Sequence, residues 1–126
     1  MHAIETTTPL SMAEAEAAIR ASLATEGFGV LTEIDVAETL ATKIGVQREP
    51  LKILGACNPE FANRALEMDI SVSLLLPCNV VLAADDNGTR ISAVDPRSLM
   101  DAEGFNELAA DAAARLTRAI ESLPSV

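Results

Sequence analysis

Short stretches of alternating hydrophobic and polar residues, separated by longer stretches of helical spacing, run along this chain, with glycines, prolines and capping residues at the breaks. His2 to Thr8 reads as a short strand that Pro9 ends. Ser11 and Glu14 form a capping box. Met12, Ala15, Ile19 and Leu23 then share one side of a long first helix, and Gly27 stops it. Phe28 to Ile34 predicts a strand with Phe28, Val30, Thr32 and Ile34 on one face. Asp35 with Glu38 suggests a second capping box, before a short helix striped by Val36, Leu40 and Ile44 and ended by Gly45. Pro50 precedes a strand from Leu51 to Ala56. Asn58 suits the cap of a third helix, with Pro59 at its first position and Ala62, Ala65 and Leu66 on its apolar side.

The second half begins with an apolar run, Val72 to Ala84, which predicts extended chain interrupted at Pro77. Asn87-Gly88 predicts a type I′ hairpin turn, which sets Asp85 opposite Arg90, Ala84 opposite Ile91, Leu82 opposite Ala93 and Val81 opposite Val94. Asp95-Pro96 leads into a short turn or helix. A long last helix carries Phe105, Leu108, Ala109, Ala112, Leu116, Ala119, Ile120 and Leu123, and Pro124 stops it.

The predicted order is β-α-β-α-β-α-β-β-α. Hairpins and short connections favour an α+β domain, a single one over residues 1–126. The expected architecture is a mostly antiparallel sheet of about five strands with two long helices on one face. No glycine-rich phosphate loop follows a strand, because Gly27-Phe28-Gly29 precedes its strand. In the hairpin, Val80, Leu82, Ala84, Ile91 and Ala93 share one face, while Val81, Ala83 and Val94 share the other. A sheet covered on one side usually shows a polar opposite face. The apolar second face therefore predicts either a second chain or a short helix over it.

Composition narrows the functional classes. The chain of 126 residues carries 19 acidic and 9 basic residues, a net charge of −10, which disfavours nucleic acid and anionic membrane surfaces as partners. With no Trp or Tyr and only Phe28, Phe61 and Phe105 as aromatics, stacking platforms for bases or sugars are hard to build. No apolar run approaches the ~18 residues of a membrane span. The start, Met1-His2-Ala3-Ile4-Glu5, lacks a basic or apolar leader, and the expected location is cytoplasmic. Reduced thiols are expected there. The spacing of Cys57 and Cys78, with His2 the one histidine, matches no zinc pattern, so no metal or other cofactor is assigned.

The candidate chemistry gathers at two Cys-Asn pairs, in Gly55-Ala56-Cys57-Asn58-Pro59 and Leu75-Leu76-Pro77-Cys78-Asn79. Cys57 precedes a helix start, where dipole and free N–H groups favour a thiolate; its plain alternative is a small core residue. If the strands holding Cys57 and Cys78 are neighbours, the pair suits a reversible disulfide or a soft metal such as Cu(I), to which Met68 or Met100 can add a thioether. Asn58 is a natural cap and Asn79 can bond backbone beside Pro77; as functional groups their amides would orient a ligand. Arg64 suits an anionic ligand near Cys57 or a solvated helix face. Glu33, Asp35 and Asp95 lack a His or Lys partner in the sequence pattern, which weakens paired-carboxylate catalysis.

Four segments, Gly27 to Val36, Ile53 to Pro59, Leu74 to Val81 and Ala93 to Pro96, occur together in order and spacing. Together they resemble the bacterial and archaeal family known as domain of unknown function 302, over nearly the whole chain. The segment after Pro96, Arg97-Ser98-Leu99-Met100, departs from the acidic and small residues frequent in similar proteins. The resemblance implies a small α+β domain, dimeric in habit, and supplies no reaction. The expected function is a homodimeric ligand-binding or accessory module with Cys57, Asn58, Arg64, Cys78 and Asn79 as candidate ligand-binding residues. The alternative is a thiol-based redox or soft-metal-binding protein using Cys57 and Cys78. Whether it is an enzyme stays open, since no motif joins a nucleophile, a base and an orienting group.

Overall fold

The computed structural model describes residues 2–100 and 104–126. Five strands form one antiparallel sheet: β1 (Ala3–Thr8), β2 (Gly29–Asp35), β3 (Leu51–Cys57), β4 (Cys78–Asp85) and β5 (Gly88–Val94), in the spatial order β1-β5-β4-β3-β2. The helices are α1 (Met12–Thr25), α2 (Val36–Ile44), α3 (Pro59–Met68), α4 (Pro96–Leu99) and α5 (Asn106–Glu121), with a 3₁₀ helix at Ile70–Leu75. No helix of the described residues is long and apolar enough to cross a membrane.

The long helices α1 and α5 cover one face of the sheet, as the sequence pattern predicts. Ile19 and Leu23 of α1 and Leu116 and Ile120 of α5 meet Leu54, Val80, Leu82 and Ile91 of the strands, and all of these side chains are fully buried. Burying each Leu or Ile contributes roughly 1.5–3 kcal/mol. The capping box at Ser11 and Glu14 forms in both directions. At Asp35 the side chain accepts from the Glu38 N–H at 3.0 Å, and the helix after it buries no residue.

Three local expectations are corrected. The hairpin turns at Asp86-Asn87, one residue earlier than an Asn-Gly turn would place it, which shifts the pairing by two residues, so Asp85 pairs with Gly88, Leu82 with Ile91 and Val81 with Ser92. Asp85 Oδ1 accepts the Asn87 N–H at 3.0 Å, which stabilises this turn. Gly88, at φ 138°, is needed instead by the neighbouring strand end: a side chain there would strike the Thr8 carbonyl and lie 2.8 Å from Pro9 Cα. A shift of two residues preserves sidedness, so Val80, Leu82, Ile91 and Ala93 still face the core.

The second correction concerns β2, whose pairing with β3 slips between Val30 and Thr32. This bulge leaves Phe28 and Val30 on the core side and turns Thr32 and Ile34 to the outer face, where Ile34 is 50% exposed. Thr32 lies over Gly55, whose missing side chain also leaves room for the Pro77 ring; an ideal Cβ on Gly55 would fall 2.8 Å from Pro77 Cγ. The third concerns the apolar run at Val72. Its first part is 3₁₀ helix, begun by Asp69, whose carboxylate accepts the N–H and hydroxyl of Ser71 at 2.9 and 2.7 Å. Only after Pro77 does the chain become strand.

The outer face is more mixed than the sequence pattern suggests. Register places Ile53, Val81, Ala83 and Val94 there, together with Glu5, Asn79, Arg90 and Ser92. The apolar members are half-buried. Leu99 of α4 closes one end of a shallow groove of about 350 Å³ beside Asn79, Val81 and Val94.

Candidate functional site

The two Cys-Asn segments meet because β3 and β4 are sheet neighbours, with Ala56 directly opposite Cys78. Cys57 is the next residue, the last of β3. At this end of the sheet α3, the 3₁₀ helix, α4 and the start of α5 surround a cavity of about 40 Å³. Ala56, Cys57, Asn58, Phe61, Cys78 and Met100 are among its lining residues, with Val72, Leu108 and Ala112 completing the apolar wall. Around it, Phe61, Ala65, Val72, Leu108 and Ala112 form a buried cluster separate from the main core.

Cys78 is held there as a thiol. Burial pushes its pKa above the ordinary 9.0, and the neighbouring Cys57 adds to the rise. Both cysteines are free. Asn58 is 8% exposed and acts as the α3 cap: its Oδ1 accepts the Phe61 N–H at 3.3 Å and its Nδ2 donates to the Glu26 carbonyl at 3.4 Å. Its amide is therefore occupied by the fold at both ends.

Of the five candidate residues, three line this cavity: Cys57, Asn58 and Cys78. Asn79 instead lies exposed on the outer face, opposite Gly55, because side chains alternate along β4. Arg64 is exposed on α3, with its guanidinium 5.9 Å from the Phe61 ring centre. A residue that sequence reasoning missed is Arg115 of α5, which lies 5.2 Å from the same ring and donates to the Glu26 carbonyl at 3.2 Å. The sequence reading names Ala62, Ala65 and Leu66 as the apolar side of α3 and does not include Phe61, yet Phe61 and Ala65 are the residues that this helix buries. Its position three residues after the cap, in the first turn, was the available signal. Between the two methionines proposed as thioether donors, Met100 lines the cavity and Met68 does not.

The acidic candidates serve elsewhere. Glu33 does have a lysine partner, contrary to the sequence reading: Lys52, paired with it across β2 and β3, also binds Glu16 at 2.8 Å. Arg20 closes the network at 2.9 Å to Glu16 and 3.1 Å to Glu33. Hydrogen bonding to Lys52 lowers the Glu16 pKa, and the carboxylates raise that of Lys52. Lys52 lies five residues before Cys57 along β3, roughly 17 Å away at strand rise. Asp95 is 8% exposed and caps α4, accepting from the Arg97 N–H at 2.9 Å. The Arg97 guanidinium grips it at 2.6 and 3.0 Å and holds its carboxyl below the usual range. Both carboxylates are thus taken up by cations, Glu33 by Lys52 and Asp95 by Arg97. No group of three or more His, Cys, Asp or Glu side chains among the described residues is arranged to hold a metal ion.

The family model described as "Domain of unknown function DUF302" matches residues 4–123. A crystal structure of an uncharacterized conserved protein DUF302 from Bacillus stearothermophilus is 32% identical to this chain, covers 95% of it and 94% of its own length, and superposes with a TM-score of 0.83. No curated protein matches the chain.

Proposed function

The chain belongs to the DUF302 family, and we propose that it works as a homodimeric binding module whose ligand site is the cavity between β3, β4, α3 and α5. The observation that carries this reading is the gathering of Cys57, Asn58 and Cys78, from two distant segments, at one apolar cavity. Binding is favoured over catalysis because, among the described residues, the acidic candidates Glu33 and Asp95 are already paired, with Lys52 and Arg97. At about 40 Å³ the cavity suits a ligand of very few atoms, or one small group of a larger ligand.

Nuclear magnetic resonance under xenon pressure tests the site, xenon being a compact apolar probe of such cavities. Saturable shifts confined to the methyl groups of Val72, Leu108 and Ala112 are the expected result. Unmoved methyls would remove the cavity as a ligand site. The dimer is supported by the half-buried apolar row Ile53, Val81, Ala83 and Val94 on the outer face. Sedimentation velocity at micromolar concentration checks it, and a clean monomer would exclude it. A second reading, reversible thiol redox chemistry, is favoured by both cysteines lining one cavity. It predicts that mild oxidation removes two free thiols per chain with no rise in mass beyond loss of two hydrogens.

A further inference from the structure

Phe61 lines the cavity, and two arginines attend its ring: the Arg115 guanidinium lies 5.2 Å from the ring centre and that of Arg64 5.9 Å. Arg115 is also tied to a second lining residue. Its Nη1 and the Asn58 Nδ2 donate to the same Glu26 carbonyl, at 3.2 and 3.4 Å. Among the described residues neither Arg64 nor Arg115 forms a salt bridge, whereas Arg20, Lys52, Arg97 and Arg118 all do. Carboxylates are not scarce, since the chain has 19 acidic residues against 9 basic ones. The carboxylate of Glu26, whose carbonyl Arg115 holds, is itself taken by Arg118 at 3.0 Å. Arg115 is half-buried, carries five N–H donors and uses one of them on that carbonyl, which leaves charge and donors for an anion from outside the chain. The cavity wall asks for the opposite chemistry. Val72, Leu108 and Ala112 are apolar, and both ends of the Asn58 amide are used by backbone partners.

We infer that the cavity and Arg115 together form one amphipathic site for a short-chain monocarboxylate, with the alkyl tail in the cavity and the carboxylate on the Arg115 guanidinium. The inference rests on the reading of the cavity as the ligand site and names the ligand class. The planar fork of a guanidinium matches a carboxylate with two parallel hydrogen bonds. A monoanion suits a chain of net charge −10 better than a phosphate dianion, which meets twice the repulsion. The cavity sets the length of the tail. About 40 Å³ gives room for roughly three water-sized groups, so a few carbons fit and a drug-sized organic group does not. Arg64 is exposed on α3 and adds positive field that salt screens, so its share is the smaller one.

The test is a magnetic resonance titration of the full-length chain with butyrate, read at the methyl groups and at the arginine side-chain N–H groups. Butan-1-ol supplies the same tail without charge, and formate supplies the charge without a tail. The expected result is saturable butyrate shifts at Val72, Leu108 and Ala112 and at the Arg115 side chain, with both control probes weaker by roughly tenfold or more. Arg115→Gln weakens butyrate by roughly 10–100-fold, as loss of a hydrogen bond to a charged group does, and leaves the xenon response in place. Arg64→Gln weakens it by about 2–5-fold, the effect of an exposed charge. The retained xenon response shows that a variant is folded, and the comparison of the three probes on the wild type stands without any variant. Butyrate that binds no tighter than butan-1-ol, or that binds folded Arg115→Gln as it binds the wild type, overturns the inference. So does formate that binds as tightly as butyrate, which would mark an anion site with no tail pocket. Xenon shifts without butyrate shifts would defeat the carboxylate inference and leave the cavity reading standing; absence of both would defeat the two together.

Discussion

Helix α5 borders two volumes on the same side of the sheet, and they are built differently. Its second half places Leu116, Ala119 and Ile120 against Ile19, Leu23, Leu82 and Ile91, and those side chains are wholly enclosed. Its first half places Leu108 and Ala112 against Phe61, Ala65 and Val72, and there a cavity remains. Both walls are apolar, so hydrophobicity does not separate them. Four alanines, at 56, 62, 65 and 112, are among the residues that line the cavity, and Ala56 is shared with the closed core. Close packing leaves few voids larger than a water, so an apolar gap beside paired cysteines marks a place the chain does not fill.

The largest break in this contrast comes from the closed side. Leu116→Ala should cost about 2–5 kcal/mol, read from the urea midpoint at constant slope. Enlarging a small residue separates the two volumes more sharply. Ala119→Leu in the closed core should destabilise by about 1–3 kcal/mol through overpacking. Ala112→Val at the cavity wall should stabilise by about 0.5–2 kcal/mol, as cavity-filling changes do, and should abolish the xenon response. Equal destabilisation by the two changes would show that the volumes do not differ in packing.

A smaller effect is expected at the cap that joins the cavity to α3. Asn58→Ala should cost about 1 kcal/mol, and Asn58→Asp, which keeps the acceptor for the Phe61 N–H, should recover part of it. The smallest is a pH effect. Because the folded chain raises the Cys78 pKa above 9.0, its contribution to stability is complete below that value. It is lost as pH rises from there through the folded pKa, since the unfolded chain releases its proton first. Stability of the wild type should therefore fall more steeply above pH 9.0 than that of Cys78→Ser, and labelling of native Cys78 by iodoacetamide should have its midpoint above that value. Matching alkaline slopes for the two proteins would show that the site does not protect the thiol.

Several features were readable from residue order because their causes are local. The caps at Ser11, Asp35 and Asn58 form as their side chains and spacing require. The faces of β4 and β5 also follow, since alternation needs no knowledge of the partner strand. The hairpin register was not readable from its turn residues. Asn87-Gly88 fits a type I′ turn locally, but Gly88 is needed for the close approach of Thr8 and Pro9 from another strand. The bulge after Val30 was hidden in the same way, because its pairing partner Gly55 lies far along the chain. The apolar run from Val72 read as extended chain by composition, while the Asp69 cap drew its first residues, to Leu75, into helix.

The sequence by itself determined the long helices, most of the strands with the core faces of β4 and β5, and the two thiols worth watching, because hydrogen-bond caps and side-chain periodicity act over a few residues. Only the tertiary structure decided that Cys57 and Cys78 line one cavity, that Met100 joins them and Met68 does not, and that Asn79 points away. Those outcomes depend on strand order and on the sizes of side chains drawn from β3, α3, β4, α4 and α5, which meet only when the sheet and its helices have packed.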